Sequence, residues 1–485
     1  MLRSRSRWVL GLMLVLSSAA AAAPFRAGRG VVVDVEVRRD APAPVSRVIY
    51  LERCVHGCTV RLGGNDARSN TSIIPKQSIS TIAEFTNSAG QSGAAADGEW
   101  AAVVQCMREV YSPYDVTVTD VKPPANTSYH EAIIAGRPGD VGMSDDILGA
   151  APLANDCRAI DNVISFSFAN QHPPTDHVLN VCWTAAQESA HAFGLDHEYA
   201  FANNRSACSD PMTYRYDCGG QKFFRNELAS CGETAPRDCK CGGSQNSHQK
   251  LLSVFGAGTP ITPPPMIAML SPAAGDGALG SAAEISAGAQ RGVERVELVV
   301  NGFAWATAPG AKFLAEGQPD PSHYQLDVPA ELPDGVIDVS AVAYDDLELS
   351  TASNTVTLTK GAPCANATTC ATGQRCDAGR CLWVPSVGAV GDACTYPQFC
   401  KSLRCEGPVG AQTCAQTCEV NVADDEACAA GRICQPLTAG SETGVCVTGA
   451  AGCCSTSHGS GGGLAAGLAA VVFGAVRRRR RSPSR

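Results

Sequence analysis

The sequence predicts a multidomain chain of three unlike parts: an α+β domain, a β-sandwich and a small disulfide-rich module. Three observations predict it. Helix-like and strand-like spacings of apolar residues alternate over residues 45–257. Residues 266–360 contain no Cys and read as short strands separated by turn dipeptides. From Cys364 the composition changes again, with 12 of the 24 Cys falling in residues 361–449. At 485 residues the chain is too long for one core. The predicted boundaries are 1–23 for an N-terminal leader, 24–257 for the α+β domain, 258–360 for the sandwich, 361–449 for the Cys-rich module and 450–485 for a tail.

In the first domain, residues 100–111 (WAAVVQCMREVY) place apolar side chains at helical spacing, and residues 115–121 (DVTVTDV) alternate as a strand does. Residues 132–135 and 163–168 read as further short strands, and a helix is expected from Trp183 onward. That helix carries Gln187, Glu188 and His191, followed by Gly194 and His197. Residues four apart project from one helix face, so Gln187 and His191 can point at one ion, with Glu188 one step round. Gly194 tolerates the positive φ of a helix C-terminus, which lets the chain swing back and bring His197 to the same place. A short loop later comes Ser209-Asp210-Pro211-Met212-Thr213-Tyr214.

Glu188, His191, Gly194 and His197 stand at the offsets of the pattern HExxHxxGxxH, with Gln187 where the first His belongs. Met212 and Tyr214 fit a following Met-turn. On these residues the region 45–257 resembles the metzincin zinc metallopeptidases. The resemblance implies an α+β zincin fold, zinc held by His191, His197 and Gln187, Glu188 as general base, and Tyr214 supporting the metal or the reacting oxyanion. It also implies Met212 beneath the site and an extracellular protein or peptide as substrate. The departure at Gln187 matters, because an amide oxygen is neutral and less basic than imidazole, whereas zinc is usually bound by Cys, His or carboxylate. Three readings stay open: a working site completed by Gln187 or a substitute such as His177, a pseudopeptidase that uses its cleft to bind, or an accidental match. No Cys-switch propeptide is evident, since the segment before Cys54 is short.

The two ends carry addresses. Arg3, Arg5 and Arg7, an apolar run over 9–16 and small residues at 19–23 form a secretory signal peptide. At the other end, Gly452-Cys453-Cys454 is followed by a 13-residue apolar run over 464–476 and five Arg, Arg477 to Arg481. This layout resembles the MYXO-CTERM sorting signal of myxobacterial surface proteins, which implies cleavage near Cys453-Cys454 and retention at the outer surface. An ordinary tail anchor in the membrane is the alternative.

Residues 256–265 (GAGTPITPPP) are a linker. Beyond it, residues 296–300, 324–328, 337–343 and 356–358 read as strands, with turns at Asn301-Gly302 and Asp334-Gly335. About 100 residues of such strands read as an Ig-like β-sandwich. In the Cys-rich module disulfides must substitute for a core, in preference to a zinc site, and their connectivity is left open by the sequence. The first domain holds 10 further Cys, five of them between Cys208 and Cys241, which predicts a stapled loop wall after the metal helix. His130 and His172 carry no motif and are expected to be structural. The formal net charge of −9 argues against nucleic acid as a partner. Nothing in the sequence sets an oligomeric state.

Overall fold

Short strands between residues 29 and 167 assemble a six-stranded sheet in the computed structural model. The structure describes residues 29–35, 45–124, 126–199, 209–215, 220–310, 323–328, 332, 334–371, 374–383, 386–407, 411–419, 428, 432–436 and 443–448. The leader at 1–23, Cys208, Cys218, Cys453, Cys454 and the tail at 450–485 lie outside the described residues. The chain divides into two compact units, residues 1–382 and 383–485. That boundary falls inside the segment which composition set apart as Cys-rich. The described residues are mostly β-sheet, with three α-helices and a disulfide-rich C-terminal region.

In the first unit, β1 (Arg29–Val35), β2 (Val48–Glu52), β6 (Thr117–Thr119), β7 (His130–Ile134), β8 (Ile147–Ala154) and β9 (Ile164–Ser167) lie in the order β1-β8-β9-β7-β2-β6. From β6 to β9 the pairings are parallel; β8 is antiparallel to β9, and β1 is parallel to β8. A smaller sheet, β4-β3-β5, is built from β3 (Cys58–Leu62), β4 (Thr71–Ser72) and β5 (Ile79–Ile82).

Helix α1 (Asp97–Tyr111) contains the whole of the expected 100–111 segment. Its Trp100, Val103, Val104, Met107, Val110 and Tyr111 recur at three- and four-residue steps and are all buried. Asp97 and Glu99 sit in its first turn, where the helix dipole favours negative charge. Helix α2 (His177–Ala192) begins six residues before Trp183. It packs against α1, β8 and β9, and the Cys106–Cys182 disulfide ties it to α1. From Asn180 to Ala192 every residue of α2 is buried, so this helix runs through the interior rather than along its surface. Helix α3 (Ser247–Phe255) is capped by Asn246, whose side chain accepts from the Gln249 amide, and it buries Leu251 and Phe255.

The second part of this unit is a pair of antiparallel sheets. One holds β10 (Met266–Ser271), β11 (Ala282–Gly288) and β14 (His323–Asp327). The other holds β12 (Arg295–Val300), β13 (Phe303–Pro309), β15 (Gly335–Tyr344), β16 (Ser350–Ala352) and β17 (Val356–Lys360). Alternate residues of these strands, among them Ile285, Val296, Leu298, Ile337, Val339 and Leu358, form one apolar cluster. Asn301 and Gly302 take φ of 52° and 85°, the paired positive values of a tight hairpin between β12 and β13.

A buried polar knot ties these sheets to the rest of the unit. Arg291 donates from Nε to Asp346 Oδ1 at 2.7 Å and from Nη2 to Asp346 Oδ2 at 3.0 Å and to the Phe224 carbonyl at 3.3 Å. Arg225 donates to the same Asp346 at 3.2 Å and to the Arg291 carbonyl. The Arg291 guanidinium also lies 4.5 Å from the Phe223 ring centre.

Disulfides Cys364–Cys376 and Cys370–Cys381 close the end of the first unit. In the second unit, Cys394–Cys405, Cys400–Cys414, Cys418–Cys434 and Cys428–Cys446 do most of the fastening. Trp383 packs there against the rings of Tyr396 and Phe399, at 5.3 and 5.9 Å between centres. No helix among the described residues is long and apolar enough to cross a membrane.

Candidate functional site

Helix α2 ends in hydrogen bonds that turn the chain back on itself. The Gly194 amide donates to the His191 carbonyl at 2.9 Å, and the Leu195 amide donates to the Ala190 carbonyl at 3.2 Å. Gly194 has φ of +93°, and a Cβ there would collide with the Cys157 carbonyl, so the position needs glycine. The reversal lays the His197 ring against the His191 ring, with centres 4.5 Å apart.

The imidazoles converge through their Nε2 atoms, 2.9 Å apart. His191 Nδ1 donates to the Leu195 carbonyl at 2.8 Å, and His197 Nδ1 donates to Glu233 Oε1 at 3.0 Å. Both partners are acceptors, so each Nδ1 donates, and the two Nε2 atoms stand within hydrogen-bond distance of each other. Two nitrogens this close need a shared proton or a metal ion between them. Orienting partners on the far nitrogen are also how ligating histidines are held. Burial, then the neighbouring His197, holds the His191 imidazole down to about 3, which keeps it neutral.

Gln187 stands one turn before His191. Its Nε2 donates to the Pro211 carbonyl at 2.9 Å, and its Oε1 lies toward Gly30. An ideal Cβ built on Gly30 lies 3.4 Å from Gln187 Oε1, 3.4 Å from His197 Nε2 and 2.8 Å from Glu188 Oε1. These atoms therefore surround one small place. Glu188 is fully buried, neither of its oxygens has a hydrogen-bond partner among the described residues, and burial pushes its carboxyl well above the ordinary range. A buried carboxyl without a partner is costly and clusters at functional sites.

Tyr214 closes the far side, its ring centre 4.6 Å from that of His197. Its hydroxyl accepts from the Gly30 amide at 3.1 Å and donates to the Gly30 carbonyl at 2.9 Å. Met212 is fully buried in the same apolar cluster as α2. Its carbonyl accepts from the Glu198 amide at 2.9 Å, joining the loop to the residue after His197.

The structure thus brings Gln187, Glu188, His191, His197 and Tyr214 together. It does not bring His177. That side chain lies ten residues earlier on α2, roughly 15 Å along the axis at the usual rise, and is held by Glu99 at 2.9 Å and Ala169 at 3.2 Å. His177 is therefore no substitute ligand. The donors available for a metal are the Nε2 atoms of His191 and His197 and Oε1 of Gln187. A second group, Asp196, His197 and Glu233, also lies close enough to share an ion. Arg237 already occupies its two carboxylates, donating to Asp196 at 2.6 and 2.8 Å and to Glu233 at 2.8 Å. The close Cys trios of the C-terminal region offer no thiolate, because every member is in a disulfide.

Four supporting residues escaped sequence reasoning. Glu233 is 36 positions from His197, a spacing that carries no signal. The His197 ring, then Arg237, holds its carboxyl below the ordinary range. Asp210 accepts from the Met212 amide at 2.8 Å and the Arg225 amide at 2.8 Å, fixing the turn above the site. An Asp bonding the amide two residues on is a recognisable turn signal. Gly30 and Gly149 sit opposite each other in β1 and β8, and a Cβ at Gly149 would collide with the Glu188 carboxylate.

No protein-family model matches the chain, and no curated protein matches it. Among solved structures, the chain is similar to fibronectin(III)-like modules of Clostridium thermocellum CbhA, at 21% identity and a TM-score of 0.16. The match covers 21% of this chain and 48% of that one, so the chain spans about half the length of that structure. Wild-type OgpA from Akkermansia muciniphila is similar at 9% identity and a TM-score of 0.17, over 67% of this chain and 96% of that one. An engineered protein is similar at 14% identity and a TM-score of 0.14, over 57% and 63%. TM-scores this low establish no shared fold.

Proposed function

We propose that the place around α2 is a metzincin-like peptide site, in which His191, His197 and Gln187 hold zinc, Glu188 is the general base and Tyr214 assists. The observation that carries this is the pair of converging Nε2 atoms, each ring fixed by an acceptor on its other nitrogen. Zinc bound there would supply Lewis acidity toward a peptide carbonyl and a water of lowered pKa. Glu188, with no hydrogen-bond partner among the described residues, is placed to take a proton beside the histidines. The Tyr214 hydroxyl, already bonded to a backbone carbonyl at this place, is placed to donate to a peptide carbonyl. Met212 floors the site and Gly194 supplies the turn that delivers His197. In this reading residues 24–257 are an α+β zincin domain, residues 258–360 are an Ig-like sandwich, and the substrate is an extracellular protein or peptide.

A second reading is favoured by Gln187 itself. A neutral amide in one ligand position weakens zinc binding, and the cleft then serves as a non-catalytic surface binding or adhesion site. Export and retention at the outer surface belong to both readings. They are supported by the signal-like leader, the sorting-like tail and the ten disulfides among the described residues, which suit an oxidising compartment.

Metal analysis of the purified chain tests the proposal. It should carry about one zinc per chain, lost from His191→Ala, and Glu188→Gln should lower peptidase activity by about 100-fold or more. A chain that stays metal-free at micromolar zinc overturns the zinc site. An inactive protein that gains peptidase activity on Gln187→His identifies the non-catalytic reading.

A further inference from the structure

Residues 222–225 are held from two sides. On one side they back the turn that carries Met212 and Tyr214. The Phe223 amide donates to the Ser209 carbonyl at 2.9 Å. Lys222 Nζ donates to the Thr213 carbonyl and to Thr213 Oγ1, both at 3.1 Å, and lies 5.1 Å from the Trp183 ring centre on α2. The Arg225 amide donates to Asp210 Oδ2 at 2.8 Å, and Asp210 Oδ1 in turn accepts from the Met212 amide at 2.8 Å. On the other side the same residues face two loops of the paired sheets. Arg291, between β11 and β12, donates to the Phe224 carbonyl at 3.3 Å and covers the Phe223 ring at 4.5 Å. Asp346, between β15 and β16, accepts from the Arg225 guanidinium at 3.2 Å. Its loop is itself pinned, because Asp345 Oδ1 accepts from the Leu347 and Leu349 amides at 2.9 and 3.0 Å. Arg225 and Arg291 are only 2% and 1% exposed, and Asp346 only 8%. Stripping water from two guanidiniums and a carboxylate is costly, and apolar residues could join two regions without that cost.

We propose that Asp346 and Arg291 are positioning residues of the α2 site: acting through residues 222–225, they set the turn that presents Met212 and Tyr214. The sheets of residues 266–360 are then a working part of the site, although none of their side chains reaches it. Arg225 is the link, with its guanidinium on Asp346 and its own amide on Asp210. A shift of the Asp346 loop therefore reaches the Met212 amide through one residue and one carboxylate. The proposal rests on the reading of the α2 region as a peptide site and adds the part of the chain that holds it in shape.

The test is native-state hydrogen exchange of the turn amides from Ser209 to Tyr214, read by mass spectrometry on the full chain. Asp346→Ala should speed their exchange at least about tenfold. Leu298→Ala, which weakens the same sheets from inside their core, should leave it within about twofold of the unaltered chain. In an Arg225→Ala chain the link is already cut, so adding Asp346→Ala should change exchange by no more than about twofold. Asp346→Asn keeps the shape and one acceptor oxygen, and it decides by the same direction of change if the alanine variant does not fold. Unchanged exchange in a folded Asp346 variant overturns the proposal. So does an equal effect of Leu298→Ala, or a full further increase in the Arg225→Ala chain. None of these readings needs metal or hydrolysis. A chain that shows the coupling but holds no zinc sinks the metal-dependent function and leaves the positioning standing; a zinc-bearing chain whose turn ignores Asp346 does the reverse.

Discussion

The layers around α2 and the paired sheets of residues 266–360 solve the same packing problem in opposite ways. The sheets fill their core with alternating Val, Ile, Leu and Ala, and that core contains no Cys. The α2 layers bury Gln187, Glu188, His191, His197 and Glu131 among their apolar residues. Packing alone explains the strands of the first; its buried Arg291, Asp345 and Asp346 lie in the loops outside them. Packing does not explain the second, because each buried ionisable group without a full set of partners opposes folding. The difference teaches where chemistry resides: in the region that tolerates such groups and is braced against their cost, here by Cys106–Cys182 and Cys157–Cys241.

The strongest way to break this comparison is to remove the brace. Cys106→Ser with Cys182→Ser opens a loop of sequence separation 76 and should destabilise the α2 region by about 4 kcal/mol. Denaturant unfolding followed by the fluorescence of Trp183 would show it. A loss below about 1 kcal/mol would mean that the buried polar groups need no such support. Next in size, Leu298→Ala in the sheet core should cost about 3 kcal/mol through the cavity it leaves, with zinc content at the α2 site unchanged. A parallel loss of zinc in the folded variant would show that the site depends on the sheet core itself as well as on its loops.

The smallest expected effect is a pH slope. Burial pushes the Glu131 carboxyl on β7 up to about 8, from an ordinary value of 4.5. Below pH 4.5 both folded and unfolded chains hold this proton and it contributes no difference. Between 4.5 and 8 the unfolded chain releases it first, so stability falls as pH rises, and the loss is complete above 8. The slope should reach at most about 1.4 kcal/mol per pH unit, and Glu131→Gln should flatten it in urea titrations run across that window. An unchanged slope would remove Glu131 from the contrast.

The sequence made the helices and the ligand spacing legible because both are local. The three- and four-residue rhythm of 100–111 is visible without a structure, and so is the Gly194 turn. The start of α2 was less visible, since the segment from His177 to Cys182 mixes polar and apolar residues. Strand β8 escaped notice for a physical reason. Its ILGAAPLA is made of small residues and a Pro, poor in the branched side chains that mark strands, because Gly149 has to leave room for Glu188. Glu233 was invisible because only the folded chain brings it to His197. The N-terminal segment alternates at Val33-Asp34-Val35-Glu36-Val37, as a strand does, but its place becomes legible only once β8 exists to receive it.

The knot of Arg225, Arg291 and Asp346 sets a rule for anyone cutting this protein into pieces. A recombinant product ending near residue 257 would keep Arg225 and Phe223 but lose the carboxylate and the guanidinium that cover them. It would present a bare cation beside an uncovered aromatic ring, a surface prone to sticking and poor behaviour on purification. The natural excision point lies beyond Leu382, and chimeras that trade the sheet pair alone will need a matching acid and base on the newcomer.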